Sequence, residues 1–509
     1  MTSTDRFRLS PQRRALLENL LRAEGIERPT APAVVPREDR AAPVPLAFPQ
    51  NRFWFLDRFS ANGASYVISA GMRVRGRFRP DVFARACEQI ARRHEALRTV
   101  FSEEDGQAVQ RVLDELPPEV RTTDLRGLPA HEALEEVRRR EARLVARPFD
   151  LLTGPLFRAE LLNLAADETV VLVNVHHIVS DRWSMDLLMR ELMQVYRALE
   201  LGRPAGLPEL TLQYPDFALW QNRPSAQETW DADLEYWTRK LKGIPSETGL
   251  PTPLRRPREK TYRGSSVPVE LPPDLVRRLN ELAKSEGATL FMALTAAFKV
   301  LLHRLGGDDD VVVGTPVANR TRVELEPLVG LFVNTLALRT DLSGDPDFRE
   351  VVRRVNTVCV EAYDHQDLPF ERLVEQLQPE RSLAHTPVFQ VLVSYQSVSI
   401  PSWDGPLRVE PFPLQARKAE FDLLLDMFQD GDAVWGRLEY STDLFEEPDA
   451  RRLARLFTGL LREVVRCPGV PVGRLALLGR AEWRRVVVEN NATGREWPGR
   501  GLVHECFEE

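Results

Sequence analysis

The chain has 509 residues, 43% of them hydrophobic, enough to bury a sizeable core and to fill about two to four domains. Its 68 Lys and Arg against 75 Asp and Glu give a formal charge of −7 with both signs interspersed, so there is no broad basic face to neutralise a phosphate backbone, and nucleic acid is excluded as a partner. Cys87, Cys359, Cys467 and Cys506 form no CxxC pair, and only His504 beside Cys506 has ligand-like spacing, so they read as reduced thiols of a cytoplasmic protein with no metal site.

In chain order, "MTSTDRFRLSPQRR" is charged and lacks the apolar core of a secretion signal, so the chain reads as not exported. Residues 10–25 carry apolar positions at 16, 17, 20 and 21 and predict a short helix entered at Ser10-Pro11. The Pro- and Ala-rich segment "IERPTAPAVVPREDRAAPVP" has no period and reads as an extended tether, with the folded body starting near residue 45. "DVFARACEQIARRHEALR" repeats its apolar residues at helical spacing. "VVLVNV" is a β-branched strand, and "SMDLLMRELMQVYRALELG" is a helix that we expect to be capped by Ser184 and closed by Gly202.

A polar, Pro-interrupted stretch from 222 to 265 separates this α/β half from a second one. There a helix is predicted over 288–305, a strand over 311–313 and another helix over 348–364. The apolar run "ATLFMALTAAFKVLL" contains Lys299 and falls short of the roughly 20 residues that span a bilayer, so it reads as a buried helix and not a membrane span. "GTPVANR" and "RLGGDDD" fail the GxGxxG and GxxxxGK[ST] spacings of phosphate loops.

The stretch "VVLVNVHHIVSDRWSM" has the clearest chemistry. His176 and His177 stand where a strand stops and Asp181 where a helix starts, so the side chains emerge into a crevice between elements. Neighbouring side chains of an extended chain point to opposite sides, so one histidine works and the other supports. A neutral imidazole accepts a proton near physiological pH. Asp181 sits close enough to orient an imidazole or to pair with a cation from elsewhere. A buried, hydrogen-bonded histidine pair with a helix-entry acid explains the same residues without chemistry, and further motifs decide between the readings.

Those motifs come in order. "PLAFPQNRFWFLDRF", "RRHEALRTVF", "HHIVSDRWS", "YPDFALWQ", "GTPVANRTRVELEPLVGLFVNTLALR", "HQDLPFERLVEQL" and "RSLAHTPVFQVLVSYQ" resemble the seven successive motifs of condensation domains of nonribosomal peptide synthetases, in the chloramphenicol-acetyltransferase-like superfamily, from about residue 44 to 475. The resemblance implies an α/β fold of two such lobes forming a V-shaped pseudo-dimer around a central tunnel. It also implies the organisation 1–44, N-terminal helix and linker; 45–225, N-terminal lobe; 226–475, linker and C-terminal lobe; and 476–509, linker and start of a truncated adenylation domain.

The implied reaction is amide formation between a donor thioester and the α-amine of an acceptor thioester. Both arrive on the phosphopantetheine arms of upstream and downstream peptidyl carrier proteins, and the domain, a monomer beside an adenylation domain, binds no cofactor of its own. His177 is then the base and His176 its support, while Asp181 pairs with Arg320 to hold the loop. Arg52 and Asn334 line the tunnel or brace the lobes, and Arg182 and Ser184 border the tunnel.

Two residues depart from the family pattern: Ala47 replaces a serine, and Arg182 replaces the glycine after the aspartate. "HHxxxDR" followed by "WSM" resembles the subtype that also dehydrates a Ser- or Thr-derived residue, with Arg182 stabilising the enolate. An epimerising or heterocyclising relative and a non-catalytic platform that recruits carriers or partner enzymes are competing readings. The retained His177 argues against the platform.

Overall fold

The computed structural model describes residues 33–59, 66–378, 382–397, 407–415, 418–494 and 504. The helix expected at 10–25, the first part of the tether (26–32), Cys506 and most of the tail after 494 lie outside the described residues. The rest of the tether is docked rather than free: Val34 packs into the core of the first half, and buried Arg37 pairs with Glu95 (2.7 Å) and Asp216 (2.9 Å), so the folded body begins by Val34 and not near the expected residue 45.

The first half runs β1 (Val44–Pro45), α1 (Phe48–Phe59), β2 (Val67–Arg75), α2 (Pro80–Arg93), β3 (Thr99–Glu104), β4 (Gln107–Val112), β5 (Glu119–Asp124), α3 (Ala130–Ala146), β6 (Phe157–Ala165), β7 (Glu168–His176), α4 (Arg182–Glu200) and α5 (Tyr214–Gln221). The second half runs α6 (Asp231–Lys240), β8 (Gly264–Glu270), α7 (Pro273–Ser285), α8 (Leu290–Gly306), β9 (Asp310–Val317), β10 (Asn334–Asp341), α9 (Phe348–Asp364), α10 (Phe370–Leu377), β11 (Val391–Ser397), β12 (Arg408–Pro411), β13 (Leu423–Asp430), β14 (Ala433–Ser441) and α11 (Glu447–Arg466). Each half carries its own sheet, in the orders β12-β2-β7-β6-β5 and β10-β9-β11-β13-β14-β8, and β1-β4-β3 form a small third one.

Local sequence explains these elements. β7 is buried along nearly its whole length because it lies between β2 and β6 with both faces covered, which is why "VVLVNV" is continuous rather than alternating. α2 buries Val82, Phe83, Ala86, Cys87, Ile90 and Ala91, the stripe its period demands. α8 is almost wholly buried, and Lys299 survives there because its Nζ donates to the carbonyls of Val311 (3.4 Å) and Leu338 (2.6 Å) and to Thr340 Oγ1 (2.6 Å). Burial still pushes that ammonium down to about 7. No single helix among the described residues is long and apolar enough to cross a membrane. α7 and α8 pass such a test only as a pair bent by 98°.

Both glycine segments have structural roles. Gly307 closes α8 at φ +82°, and Gly314 lies inside β9, where a Cβ would collide with the Phe389 ring. The stretch 222–265 holds more order than its prolines suggest. It contains α6, whose Trp237 is 2% exposed and donates from Nε1 to the His365 carbonyl at 2.8 Å. Prolines flank that helix and do not interrupt it.

The halves are interlocked. Leu325, Leu328, Val329, Leu331 and Phe332, on the loop between β9 and β10, pack into the core of the first lobe. In addition, β12 of the second half pairs antiparallel with β2 of the first, from Arg408↔Arg75 to Pro411↔Met72.

Candidate functional site

β7 ends at His176, whose N–H still donates to the Leu156 carbonyl (3.0 Å), and a single 3₁₀ turn, His177–Val179, carries the chain into α4. The break at the strand end sends the two rings in different directions. His176 is 0% exposed, and its Nδ1 accepts from the Ile178 N–H at 3.1 Å, which pins the turn and places the ring proton on Nε2. Burial, with His177 and Lys418 nearby, pushes it down to about 3, so it is neutral at any working pH.

His177 is half-buried. Its N–H donates to the Tyr66 carbonyl (2.8 Å), and its ring stacks on Phe53 of α1 at 4.8 Å and 16°. Nδ1 is sealed from solvent with no partner but its own main chain, which leaves Nε2 as the open edge. Burial lowers this imidazole below its ordinary range. Glu420, next largest, and the weaker pull of Asp181 oppose the shift, and Arg52 adds to it.

Asp181 caps α4: Oδ1 accepts from the Ser184 N–H (2.7 Å), and Oδ2 from the N–H groups of Phe332 (2.9 Å) and Val333 (3.1 Å). Arg320 Nη2 reaches Oδ1 at 3.4 Å, within ion-pair distance, and donates to Ser184 Oγ at 2.7 Å. Its Nη1 donates to the carbonyls of Leu325 (2.5 Å) and Leu328 (2.7 Å). Asp181 therefore ties the histidine loop to the incoming β9–β10 loop.

Ser184, expected both as the cap and as a tunnel residue, is neither. The cap is Asp181, three residues earlier. Ser184 is 0% exposed, its Oγ committed to the Gly330 carbonyl (2.7 Å), the Gly330 N–H (3.0 Å) and Arg320. Asn334 is also fully used. Its Nδ2 donates to the carbonyls of Gln366 (2.9 Å) and Leu368 (2.8 Å), and its Oδ1 accepts from the N–H groups of Thr335 and Phe370, so it braces the second lobe and does not line a tunnel.

Arg52 on α1 forms an ion pair with Glu420, which precedes β13 in the other half, and so braces the lobes. Arg182 reaches towards the sheet of the second lobe: its guanidinium sits 6.0 Å from the Phe428 ring centroid on β13, while Nε lies 3.3 Å from Asp186 Oδ1 and the side chain is 48% exposed.

Sequence reasoning missed Glu420, Gln50 and Phe53. Burial alone would raise the Glu420 carboxyl, but Arg52, His177 and Lys260 outweigh it and hold it below the usual range. Gln50 donates to the Ile178 carbonyl at 3.0 Å and fixes the back of the histidine turn. Both Gln50 and Phe53 lie inside the opening motif, and their spacing along one helix was the available signal. No cluster of three His, Cys, Asp or Glu suited to a metal exists among the described residues.

A family model described as the condensation domain matches residues 41–487. The chain is 41% identical over 473 residues to one of the linear gramicidin synthase proteins of Brevibacillus parabrevis, covering 92% of this chain and 9% of that protein. It is 40% identical over 507 residues to phosphinothricin tripeptide synthetase PhsC of Streptomyces viridochromogenes, covering 98% and 46%. The chain thus spans less than half the length of these curated relatives. The crystal structure of the X-domain from teicoplanin biosynthesis matches with a TM-score of 0.78 at 32% identity, covering 88% of this chain and 100% of that one. A four-domain nonribosomal peptide synthetase, holo-AB3403 bound to AMP and glycine, shares the fold at a TM-score of 0.77 and 24% identity, covering 86% and 34%. Two interlocked α/β lobes, a strand-end histidine pair and a family match over most of the chain lead to one conclusion: the protein belongs to the condensation-domain family of nonribosomal peptide synthetases.

Proposed function

We propose that this chain joins a donor acyl or peptidyl thioester to the α-amine of an acceptor aminoacyl thioester, with His177 as the base and both substrates held on phosphopantetheine arms of carrier proteins. The observation that carries this reading is the state of His177: neutral, fixed by Phe53 and the Tyr66 carbonyl, with Nε2 as its free edge. The acceptor nitrogen attacks the thioester carbonyl, a C–N bond forms, the C–S bond breaks and the donor arm leaves as a thiol. The proton shed by nitrogen passes to Nε2 and can leave with the thiolate. Such a base contributes about 10²–10⁴-fold. The thioester is already activated, so much of the remaining rate comes from aligning the two arms.

Asp181, Ser184, Arg320, Asn334 and Arg52 hold the frame and do not touch the reacting atoms. In this reading residues 45–225 and 226–475 are the two lobes. Residues 1–44 are an N-terminal helix and linker, and 476–509 are a linker and the start of an adenylation domain. The X-domain relative has been solved in complex with OxyB, but the retained His177 favours chemistry over recruitment here. The pairing of Arg182 with Asp186 favours plain amide formation over dehydration. The test supplies donor- and acceptor-loaded carriers: His177→Ala should abolish the amide while the chain stays folded, and full activity in that variant would overturn the assignment.

A further inference from the structure

The sheet of the second lobe has two unlike faces. Val393, Leu423, Leu425, Met427 and Leu438 point into the core beneath α8 and α11. The alternate residues form cross-strand rows on the opposite face: Ser394, Asp426 and Arg437 in one row, Leu424 with Glu439 on one side of it, and Phe428 with Trp435 on the other. That face looks towards the first lobe, since Arg182 at the start of α4 lies over Phe428.

The polar groups there are incompletely matched. Asp426 is 5% exposed; Oδ2 pairs with Arg437 at 3.1 Å and the neighbouring Ser394 hydroxyl also favours the charged carboxyl, but Oδ1 is sealed from solvent without a well-formed hydrogen bond. Buried acceptors in folded proteins nearly always find a donor. Glu439 stands diagonally from Asp426 on the neighbouring strand, a spacing of about 7–8 Å between such positions. Among the described residues it has no ion pair or side-chain hydrogen bond, whereas Glu420 has Arg52 and Asp426 has Arg437. Burial pushes the Glu439 carboxyl up to about 7, against the pull of Arg437 and with the help of Asp426 and Glu420. Two acids share the Arg437 guanidinium, and the other cation near Asp426, Arg182, is itself paired with Asp186, so the face lacks one positive charge.

We propose that Asp426 and Glu439 form an ammonium-binding subsite on the inter-lobe face of this sheet, taking a primary amino group of a substrate. This deepens the condensation reading, on which it rests for the source of the amine: either the acceptor's α-amine or a basic side chain. A primary ammonium fits because it brings a full charge and three donors to two separated carboxylates. A carboxyl that is half-protonated near neutrality becomes fully ionised when the cation arrives.

The test uses the full chain and three non-hydrolysable aminopantetheine amides: alanyl (α-amine only), N-acetylalanyl (no amine) and Nα-acetyl-lysyl (side-chain amine only). Calorimetry at pH 8 should give tighter binding of at least one amine-bearing probe than of N-acetylalanyl. Glu439→Gln and Asp426→Asn should each weaken that probe about tenfold and leave N-acetylalanyl unchanged. A loss confined to the alanyl probe assigns the subsite to the α-amine, and a loss confined to the lysyl probe assigns it to a side chain. Lowering the pH to 6 should weaken amine binding in the parent more than in Glu439→Gln, because the carboxyl gains a proton. Asp426, Arg437, Glu420 and Arg182 also face this group, and they remain in that variant. The proposal is overturned if amine-bearing probes bind no better than N-acetylalanyl, or if both folded variants bind them as the parent does. Binding is read without turnover, so a chain that binds the amine but makes no amide refutes the condensation reading alone.

Discussion

Replacing Asp181 by Ala removes the acceptor of three backbone N–H groups and the counter-ion of Arg320, whose side chain is 1% exposed. Removing one partner of a buried pair costs about 3–5 kcal/mol, because the other charge is left stranded. Unfolding entropy of about 2.1 cal/mol/K per residue amounts to on the order of 1 kcal/mol per kelvin for a chain of this size, so the melting temperature should fall by about 3–5 °C. Arg320→Met should lose a comparable amount. The double variant should lose less than the sum, with a coupling of about 1–3 kcal/mol. Calorimetry and amide formation are measured on the same preparations, and activity below the transition should fall together with stability. If Asp181→Ala melts within about 1 °C of the parent yet has lost all activity, the aspartate acts in the chemistry and the structural account is wrong.

Four further outcomes follow from the site. The rate of amide formation should rise with pH through a value below 6.5, the ordinary histidine value, because burial depresses His177; Glu420→Gln should move that limb lower still, since it removes a charge that favours the imidazolium. His176 takes a proton near 6.5 when unfolded but only near 3 when folded, so stability should fall as pH drops through that window, by up to about 1.4 kcal/mol per pH unit, with a shallower slope in His176→Asn. Arg182→Ala should change stability by less than about 1 kcal/mol, as expected of an exposed i,i+4 pair, in denaturant titration. With a seryl acceptor, product mass should equal that of the plain amide, and a water-sized deficit that depends on His177 and Arg182 would restore the dehydrating reading.

What the sequence could reveal was local. The strand-end histidines were legible because β7 and α4 announce themselves through short-range periodicity, and Asp181 with Arg320 followed from the ordered motifs. The cap was misplaced by three residues because Ser184 and Asp181 are both good capping types, and only the backbone at Asp181, φ −126°, distinguishes them. Glu420 was invisible: it follows no period, and it approaches His177 only through the pairing of Arg52 across the lobes. The unsatisfied acids of β13 and β14 were hidden for a similar reason, since which face a strand presents to the other lobe depends on tertiary register.

The β12–β2 pairing constrains how such chains are recombined. A crossover in the stretch between α5 and β8 exchanges, by chain order, one whole lobe for that of a relative. Yet the recipient would receive a foreign outer strand for its own sheet, with Phe412 donating its N–H to the Gly71 carbonyl at 2.9 Å and Arg75 meeting Glu410 at 3.0 Å. It would also receive a foreign β9–β10 loop as the partner of its histidine turn. The heritable unit is therefore the lobe together with the two segments that reach into it. Splices that keep β2 with β12, and the "HHIVSD" turn with the loop from Arg320 to Val333, should yield folded hybrids where a cut at the apparent linker does not.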